Sequence, residues 1–225
     1  MLIAISGYAG SGKDLTAKAI QYLTSSWSKQ ITFEDYLQKN ICKSGWKVKR
    51  FAGKLKECAS LLTGIPVEDF EKQEVKNSYL PSMWDIITCN HSKSYAELCI
   101  SKDCSNCSEA TTKQMLVREL LQRLGTEAVR DGLHQNAWVN AFFAGLKVSE
   151  NIIVADLRFP NEYQAVLDRG GVVIRVNRTE RCFTPKHSSE TALDNFKFDY
   201  VIQNDGTYQD LCDSVKEMLK YFELL

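Results

Sequence analysis

The chain has 225 residues, with 28 Lys or Arg against 28 Asp or Glu, so its formal net charge is zero. That balance argues against a nucleic-acid or membrane surface as partner, and the length suits one sizeable domain, residues 1–225, carrying an insertion. No apolar run approaches the roughly 20 residues that span a bilayer, and the first residues lack the pattern of a signal peptide. A reducing cytoplasm is the expected location, with the eight cysteines as free thiols or metal ligands.

In chain order, residues 2–6 read as a buried strand because they are short, apolar and bounded by glycine. Residues 7–14 follow as Gly-Tyr-Ala-Gly-Ser-Gly-Lys-Asp, the pattern G-x-x-x-x-G-K at a strand-to-helix junction. Gly7, Gly10, Ser11 and Gly12 let backbone N–H groups converge on phosphates, and Lys13 supplies a point charge. The helix expected over residues 13–26, opening with Lys13, Asp14 and Leu15, adds its positive end. A bound nucleoside triphosphate is the expectation. Residues 46–52 read as a second strand and 53–63 as a helix. Periodicity then fades over 65–110, which reads as a stretch with little core of its own; the insertion proper spans about 77–110.

Thr111 stands as a plausible N-cap for a helix carrying Leu116, Val117, Leu120, Leu121 and Leu124, with Gly125 ending it. Further helices are expected over 136–146, 160–169 and 207–222, and strands over 151–155, 172–176 and 200–203. Strands alternating with helices predict an α/β fold, a five-stranded parallel sheet with helices on both faces. Ligands of such sheets sit at the strands' carboxyl ends, where the glycine loop lies.

Position 14 departs from the usual pattern, which has Ser or Thr there to hold magnesium. Two unit charges about 4 Å apart interact by about 4 kcal/mol at an effective dielectric of about 20, so a carboxylate beside phosphates needs a cation. Asp14 should either bind the magnesium or pair with an arginine at the acceptor site, and the first is the working expectation. Asp156, at the end of the strand 151–155, is the second candidate magnesium residue, and Arg158 could reach a transferring phosphoryl group. The alternative for that stretch is an Asp opening a turn beside an unrelated surface Arg.

Arg118 and Gln122 lie four apart on one helical face, followed by Gly125, Thr126 and Arg130. Arginines can hold a monophosphate while an amide reads a base edge, although a solvated arginine-rich face is the plainer reading. Trp138 could stack on a base, or belong to a core with Phe142 and Phe143. Arg178 and Arg181 flank the end of the strand 172–176, where a lid over about 178–192 could close on phosphates. Asn204, Asp205 and Gly206 read equally as a simple turn or as a backbone contact to a purine.

Taken together these segments resemble the phage-type deoxynucleoside monophosphate kinases. The resemblance rests on the Gly-Lys-Asp loop, Phe51-Ala52-Gly53-Lys54-Leu55-Lys56, the Arg-x-x-x-Gln-x-x-Gly-Thr run from Arg118, Asp156-Leu157-Arg158, and Asn204-Asp205-Gly206. It implies a P-loop kinase related to adenylate kinase that uses Mg and moves the γ-phosphoryl of ATP onto a deoxynucleoside 5′-monophosphate. It also implies an acceptor site lined by Gly53, Lys54, Lys56, Arg118, Gln122, Gly125, Thr126 and Arg130, with Glu162 and Trp138 near the sugar or base. ATP would meet Gly7, Gly10, Ser11, Gly12, Lys13, Asp14 and Leu15 together with Arg178, Arg181, Asn204, Asp205 and Gly206. A host cytoplasm would be the location if the gene is a phage's, and the enzyme would be a monomer or homodimer.

The insertion holds Cys89, Cys99, Cys104 and Cys107, with His91 as an alternative ligand. Cys104-x-x-Cys107 has zinc-knuckle spacing, whereas Cys89-x-His91 is too tight for a standard finger, so structural zinc and unligated thiols both remain open. Two other functional readings compete with the kinase. One is a P-loop kinase of another small acceptor such as dephospho-coenzyme A, against which the Arg118 run argues. The other is a catalytically weak nucleotide-binding module, which leaves Asp156 and Arg158 without a purpose.

Overall fold

The computed structural model describes residues 1–39, 41, 44–88, 111–147, 149–179 and 191–225. Arg181 and the cysteine cluster (Cys89, His91, Cys99, Cys104 and Cys107) lie outside the described residues, as does most of the expected lid. The chain forms two compact units, one of Met1–Lys54 with Trp138–Leu225 and one of Leu55–Ala137.

The first unit is built on a parallel sheet of five strands: β1 (Leu2–Ser6), β2 (Trp46–Lys49), β5 (Asn151–Leu157), β6 (Val172–Asn177) and β7 (Tyr200–Gln203). Their spatial order is β2-β5-β1-β6-β7, with every neighbouring pair parallel. The glycine loop therefore leaves the central strand, flanked by β5 and β6. Side chains alternate across the sheet, as a period of two requires. Ile3, Ile5, Ile153, Ala155, Ile174 and Val176 join one buried cluster, while Ala4, Ile152, Val154 and Val173 join another.

Helices cover both clusters, as expected for a parallel sheet whose faces cannot be left wet. On the first face lie α1 (Lys13–Leu23), α2 (Phe33–Gln38) and α8 (Tyr208–Tyr221), through Ala17, Ile20, Phe33, Tyr36, Leu211 and Val215. On the second lie α6 (Ala137–Ala144) and α7 (Pro160–Leu167), through Val139, Phe142, Tyr163 and Val166. Local chemistry starts these helices where they start. Thr207 caps α8 by accepting from Asp210 N, and the Asp210 carboxylate returns the bond to Thr207 N at 2.7 Å. Thr32 caps α2 in the same way, accepting from Asp35 N at 3.2 Å.

One boundary differs from the expected strand over 46–52. β2 stops at Lys49, and α3 (Phe51–Thr63) begins at Phe51 instead of at residue 53. The cause is Asp156: its two carboxylate oxygens accept from Phe51 N at 2.9 Å and Ala52 N at 3.0 Å. The N–H groups that a strand would direct to a neighbour are instead drawn to one carboxylate, which opens the helix.

The second unit holds a small apolar cluster of Ala59, Phe70, Leu80, Met115, Val117 and Leu120. Residues 65–86 thus contribute more to a core, through Phe70 and Leu80, than the expectation of a stretch with little of one. Short elements carry it: 3₁₀ turns at Val67–Glu71 and Ser82–Trp84, and α4 (Gln73–Lys76). β3 (Ile86–Thr88) and β4 (Thr111–Lys113) pair antiparallel. Thr111 is thus a strand residue and no helix cap; α5 (Val117–Gln122) starts after Leu116, whose backbone is extended. Gly125 does not end the helical run either. The chain continues as a π-helix over Arg123–Asp131, and a Cβ on Gly125 would lie 3.0 Å from Leu55 Cδ2. Glycine there lets the Leu55 side chain approach closely, at a helix-propensity cost of about 1 kcal/mol.

Among the described residues no helix is long and apolar enough to cross a membrane. Cys58 and Cys212 are free thiols.

Candidate active site

The loop after β1 has the geometry of a phosphate cradle. Gly10 and Gly12 have φ of 76° and 101°, turning the chain through the left-handed region that side chains disfavour. At Gly12 a Cβ would also collide with the Asn204 side chain. Asn204 is 6% exposed and donates from Nδ2 to Ser11 O at 2.8 Å, so it holds the loop from beneath. This is a third role for Asn204, which the sequence offered only as a turn or a purine contact. Ser11 is buried, and its Oγ has no hydrogen-bond partner among the described residues. A buried donor of that kind in a glycine loop suits an oxyanion.

Lys13 folds back along the loop, donating from Nζ to Gly7 O at 2.6 Å and Tyr8 O at 2.7 Å. A pocket at this point is lined by Ser6, Gly7, Lys13, Leu157 and Arg158, among others. Two of the expected catalytic residues, Lys13 and Arg158, are thereby brought to one cavity. The Tyr8 hydroxyl donates to Asp194 Oδ2 at 2.6 Å, and buried Arg175 bonds Asp194 Oδ1 at 2.8 Å and Ser6 Oγ at 3.1 Å. This network fixes both ends of the turn into the loop. Its members are scattered over 189 positions of sequence and carry no local signal.

Asp14, exposed at the start of α1, pairs with Arg50 Nη2 at 2.5 Å. Of the two partners that position 14 demands, a metal or an arginine, the arginine is present in the structure. Arg50 sits between β2 and α3 and is a residue that sequence reasoning missed, since nothing local separates it from Lys47 or Lys49. Burial pushes the Asp156 carboxyl above the usual carboxylate range, against the opposing pull of the Ala52 and Phe51 N–H groups and the charges of Arg158 and Arg50. Arg50 thus acts on both carboxylates expected to face magnesium. Among the described residues no set of three or more His, Cys, Asp or Glu side chains converges as a metal cage.

Several other expected positions are occupied by structural bonds. Glu162 is 4% exposed, and its Oε2 accepts from Arg158 N at 2.9 Å and Phe159 N at 3.1 Å. It closes the first turn of α7 and fixes the backbone that carries Arg158. Glu162→Ala would strand two partly buried donors, and a loss of about 1–3 kcal/mol is expected. A urea unfolding midpoint unchanged from the parent would contradict that role. Trp138 is 8% exposed, buried at the start of α6. Asp205 accepts from Thr179 N and Thr179 Oγ1, bonds that hold its carboxyl below the usual range. Arg178 is half-buried, with its Nε lacking a hydrogen-bond partner among the described residues.

In the second unit Arg118 and Gln122 are both exposed on α5, and Gly125, Thr126 and Arg130 follow on the π-helix. A π-helix is a rare geometry that recurs at functional positions. Lys56 is paired with Glu71 at 2.5 Å. Gly53 and Lys54, on the first turn of α3, belong to the first unit, where a Cβ on Gly53 would meet open space.

Residues 66–215, two thirds of the chain, match the family model described as deoxynucleotide monophosphate kinase. The chain belongs to the deoxynucleotide monophosphate kinase family. The match to the family includes the Arg118 run, Asp156 to Arg158 and Asn204 to Gly206, and begins after the glycine loop. The loop's reading as a phosphate site therefore stands on its own geometry. Among similar proteins is the deoxynucleotide monophosphate kinase of Enterobacteria phage T4, 32% identical over 112 residues, covering 48% of this chain and 46% of that one. That of Escherichia phage RB69 is 31% identical over 111 residues, covering 46% and 45%. A putative deoxynucleotide monophosphate kinase of Acanthamoeba polyphaga mimivirus is 28% identical over 112 residues, covering 44% and 58%. The chain spans about half the length of the curated relatives it matches.

Proposed function

We propose that this chain transfers the γ-phosphoryl group of ATP to a deoxynucleoside 5′-monophosphate, giving the diphosphate. The observation that carries the proposal is the pocket holding Lys13 and Arg158 under a glycine loop, in a chain of this family. Phosphoryl transfer asks mainly for positioning and charge stabilisation. Lys13 and Arg158 would neutralise oxygens of the transferring group, and the loop's N–H groups would hold the preceding phosphates. The attacking atom is already an anionic phosphate oxygen, so no strong base is needed. Arg118, with Gln122 and Arg130, would hold the monophosphate, which supports a kinase over an ATPase.

Magnesium binds with one or two carboxylates plus substrate phosphates and water, not in a full protein cage. Asp14 and Asp156 fit that requirement. Asp14 is 68% exposed at its side chain, and each Asp156 oxygen retains a lone pair beyond its bond to α3. When bound, the ion would supply charge neutralisation between the outer phosphates. Asp14→Asn keeps the shape and loses the charge; turnover is expected to fall about 100-fold, with more magnesium needed for half-maximal rate. Near-normal turnover at ordinary magnesium would remove Asp14 from this role.

The test of the function is coupled ATP consumption with each ribo- and deoxynucleoside monophosphate in turn, and with dephospho-coenzyme A as a competing acceptor. Diphosphate formed from at least one deoxynucleoside monophosphate is expected. If none is phosphorylated while ATP still binds, the proposal fails.

A further inference from the structure

We infer that Gln73 and Asn77 form a neutral bracket that aims the Arg118 guanidinium at the acceptor's phosphate, an inference that rests on the acceptor reading of Arg118 just given. Arg118 Nη2 donates to Gln73 Oε1 at 3.0 Å and to Asn77 Oδ1 at 3.1 Å. The two amides are one helical turn apart, with Asn77 N bonded to Gln73 O at 3.0 Å, so they lie on one side of α4. The backbone on either side of the bracket is tied together. Val117 N donates to Ser78 O at 3.0 Å, Leu80 N donates to Met115 O at 2.9 Å, and Tyr79 and Leu116 form an antiparallel bridge. Phe70, Leu80, Met115 and Val117 pack beneath these bonds. Bracket and arginine are thus fixed relative to each other by the fold and not by the long side chain alone.

The choice of partner is the informative point. Four of the neighbouring acids meet a cation: Glu71 meets Lys56, Asp69 meets Lys72, Glu119 meets Lys113 and Glu127 meets Arg123. Arg118 is exposed, yet among the described residues its hydrogen bonds go to carboxamide oxygens alone. A carboxylate in either place would hold the guanidinium as firmly and would also cancel its charge. An amide fixes direction without neutralising. Both bonds leave from Nη2, so Nη1 and Nε keep N–H groups, each able to donate a single bond to a phosphate oxygen. Gln73 and Asn77 are therefore positioning residues for acceptor binding.

Asn77→Asp and Gln73→Glu test this, because each preserves size and hydrogen-bond geometry and adds only a charge. The Michaelis constant for the monophosphate is expected to rise about tenfold in each, as an internal carboxylate competes with the phosphate. The Michaelis constant for ATP should hold within about twofold, and the melting temperature should stay level or rise, since an ion pair replaces a neutral bond. Asn77→Ala should raise the monophosphate constant by a smaller factor, about threefold, through lost aim alone. Arg118→Ala serves as the reference. If Arg118→Ala raises the monophosphate constant but Asn77→Asp and Gln73→Glu leave it unchanged, the bracket is wrong and the acceptor site stands. If Arg118→Ala itself leaves that constant unchanged, the acceptor reading fails and takes the bracket with it. A drop in melting temperature with both Michaelis constants moving together would mark the amides as merely structural and would also overturn the inference.

Discussion

Replacing Lys13 with alanine is expected to lower kcat/KM for ATP by about 10³-fold, equivalent to about 4 kcal/mol of transition-state stabilisation. The ammonium lies in the pocket that also holds Arg158, anchored to the carbonyls of Gly7 and Tyr8. Those two carbonyls are acceptors it can relinquish to phosphate oxygens, which bind a cation more strongly than neutral carbonyls do. The loop itself would survive the change. Its shape depends on the glycines, on Asn204 and on the Tyr8–Asp194–Arg175 network, none of which needs the Lys13 side chain. The melting temperature should therefore move little while turnover collapses. A Lys13→Ala protein retaining more than about a tenth of parental kcat/KM would show that the charge is supplied from elsewhere.

Gly12→Ala carries the second large effect, and for a different reason. The residue sits at φ 101°, where an L side chain is strained, and its Cβ would strike the Asn204 amide. Asn204 has nowhere simple to go, being 6% exposed, with its side-chain Nδ2 bonded to Ser11 O and its backbone N–H to Asn177 O, each at 2.8 Å. Strain plus one broken buried bond comes to about 2–4 kcal/mol, and the loss falls on the loop proposed to cradle the phosphates. ATP binding weakened by about 100-fold is expected, together with a lowered unfolding temperature. Titration calorimetry with ATP and a thermal melt read the two effects separately. Parental ATP affinity in Gly12→Ala would mean that the loop opens a different way from the one seen.

Legibility in the sequence followed the range of the interaction that shaped each element. β1, the glycine loop and α1 were readable because an apolar run, three glycines and a lysine lie within a dozen residues. The other four sheet strands were readable for the same local reason. α3 was misjudged at its start because Phe51 and Ala52 look like strand continuation, and the carboxylate that converts them lies 105 positions away. Thr111 fits an N-cap in isolation; only its pairing with Thr88, across a stretch of polar sequence, makes it a strand residue. The core of the second unit was invisible because Phe70 sits on a short 3₁₀ turn and Leu80 in irregular chain, with no common period, and they find Met115 and Val117 only in three dimensions. For the candidate site, Lys13 and Arg158 were legible as motif residues and do share a pocket. Arg50, Gln73 and Asn77 were not, because what distinguishes them is which partner they meet, and Glu162 was named without its bonds to the start of α7.

The antiparallel ribbon of β3 and β4 bears on how this protein can be rebuilt. Thr88 and Thr111 are register partners, so the chain leaves and returns at points about 5 Å apart. A gap of that size is one that a two-residue turn closes. The 22 residues from 89 to 110 can therefore be lengthened, shortened or exchanged without asking the rest of the second unit to move its ends. The ribbon acts as a socket, and a cargo domain or a bare Asn-Gly turn would meet the same two threonines.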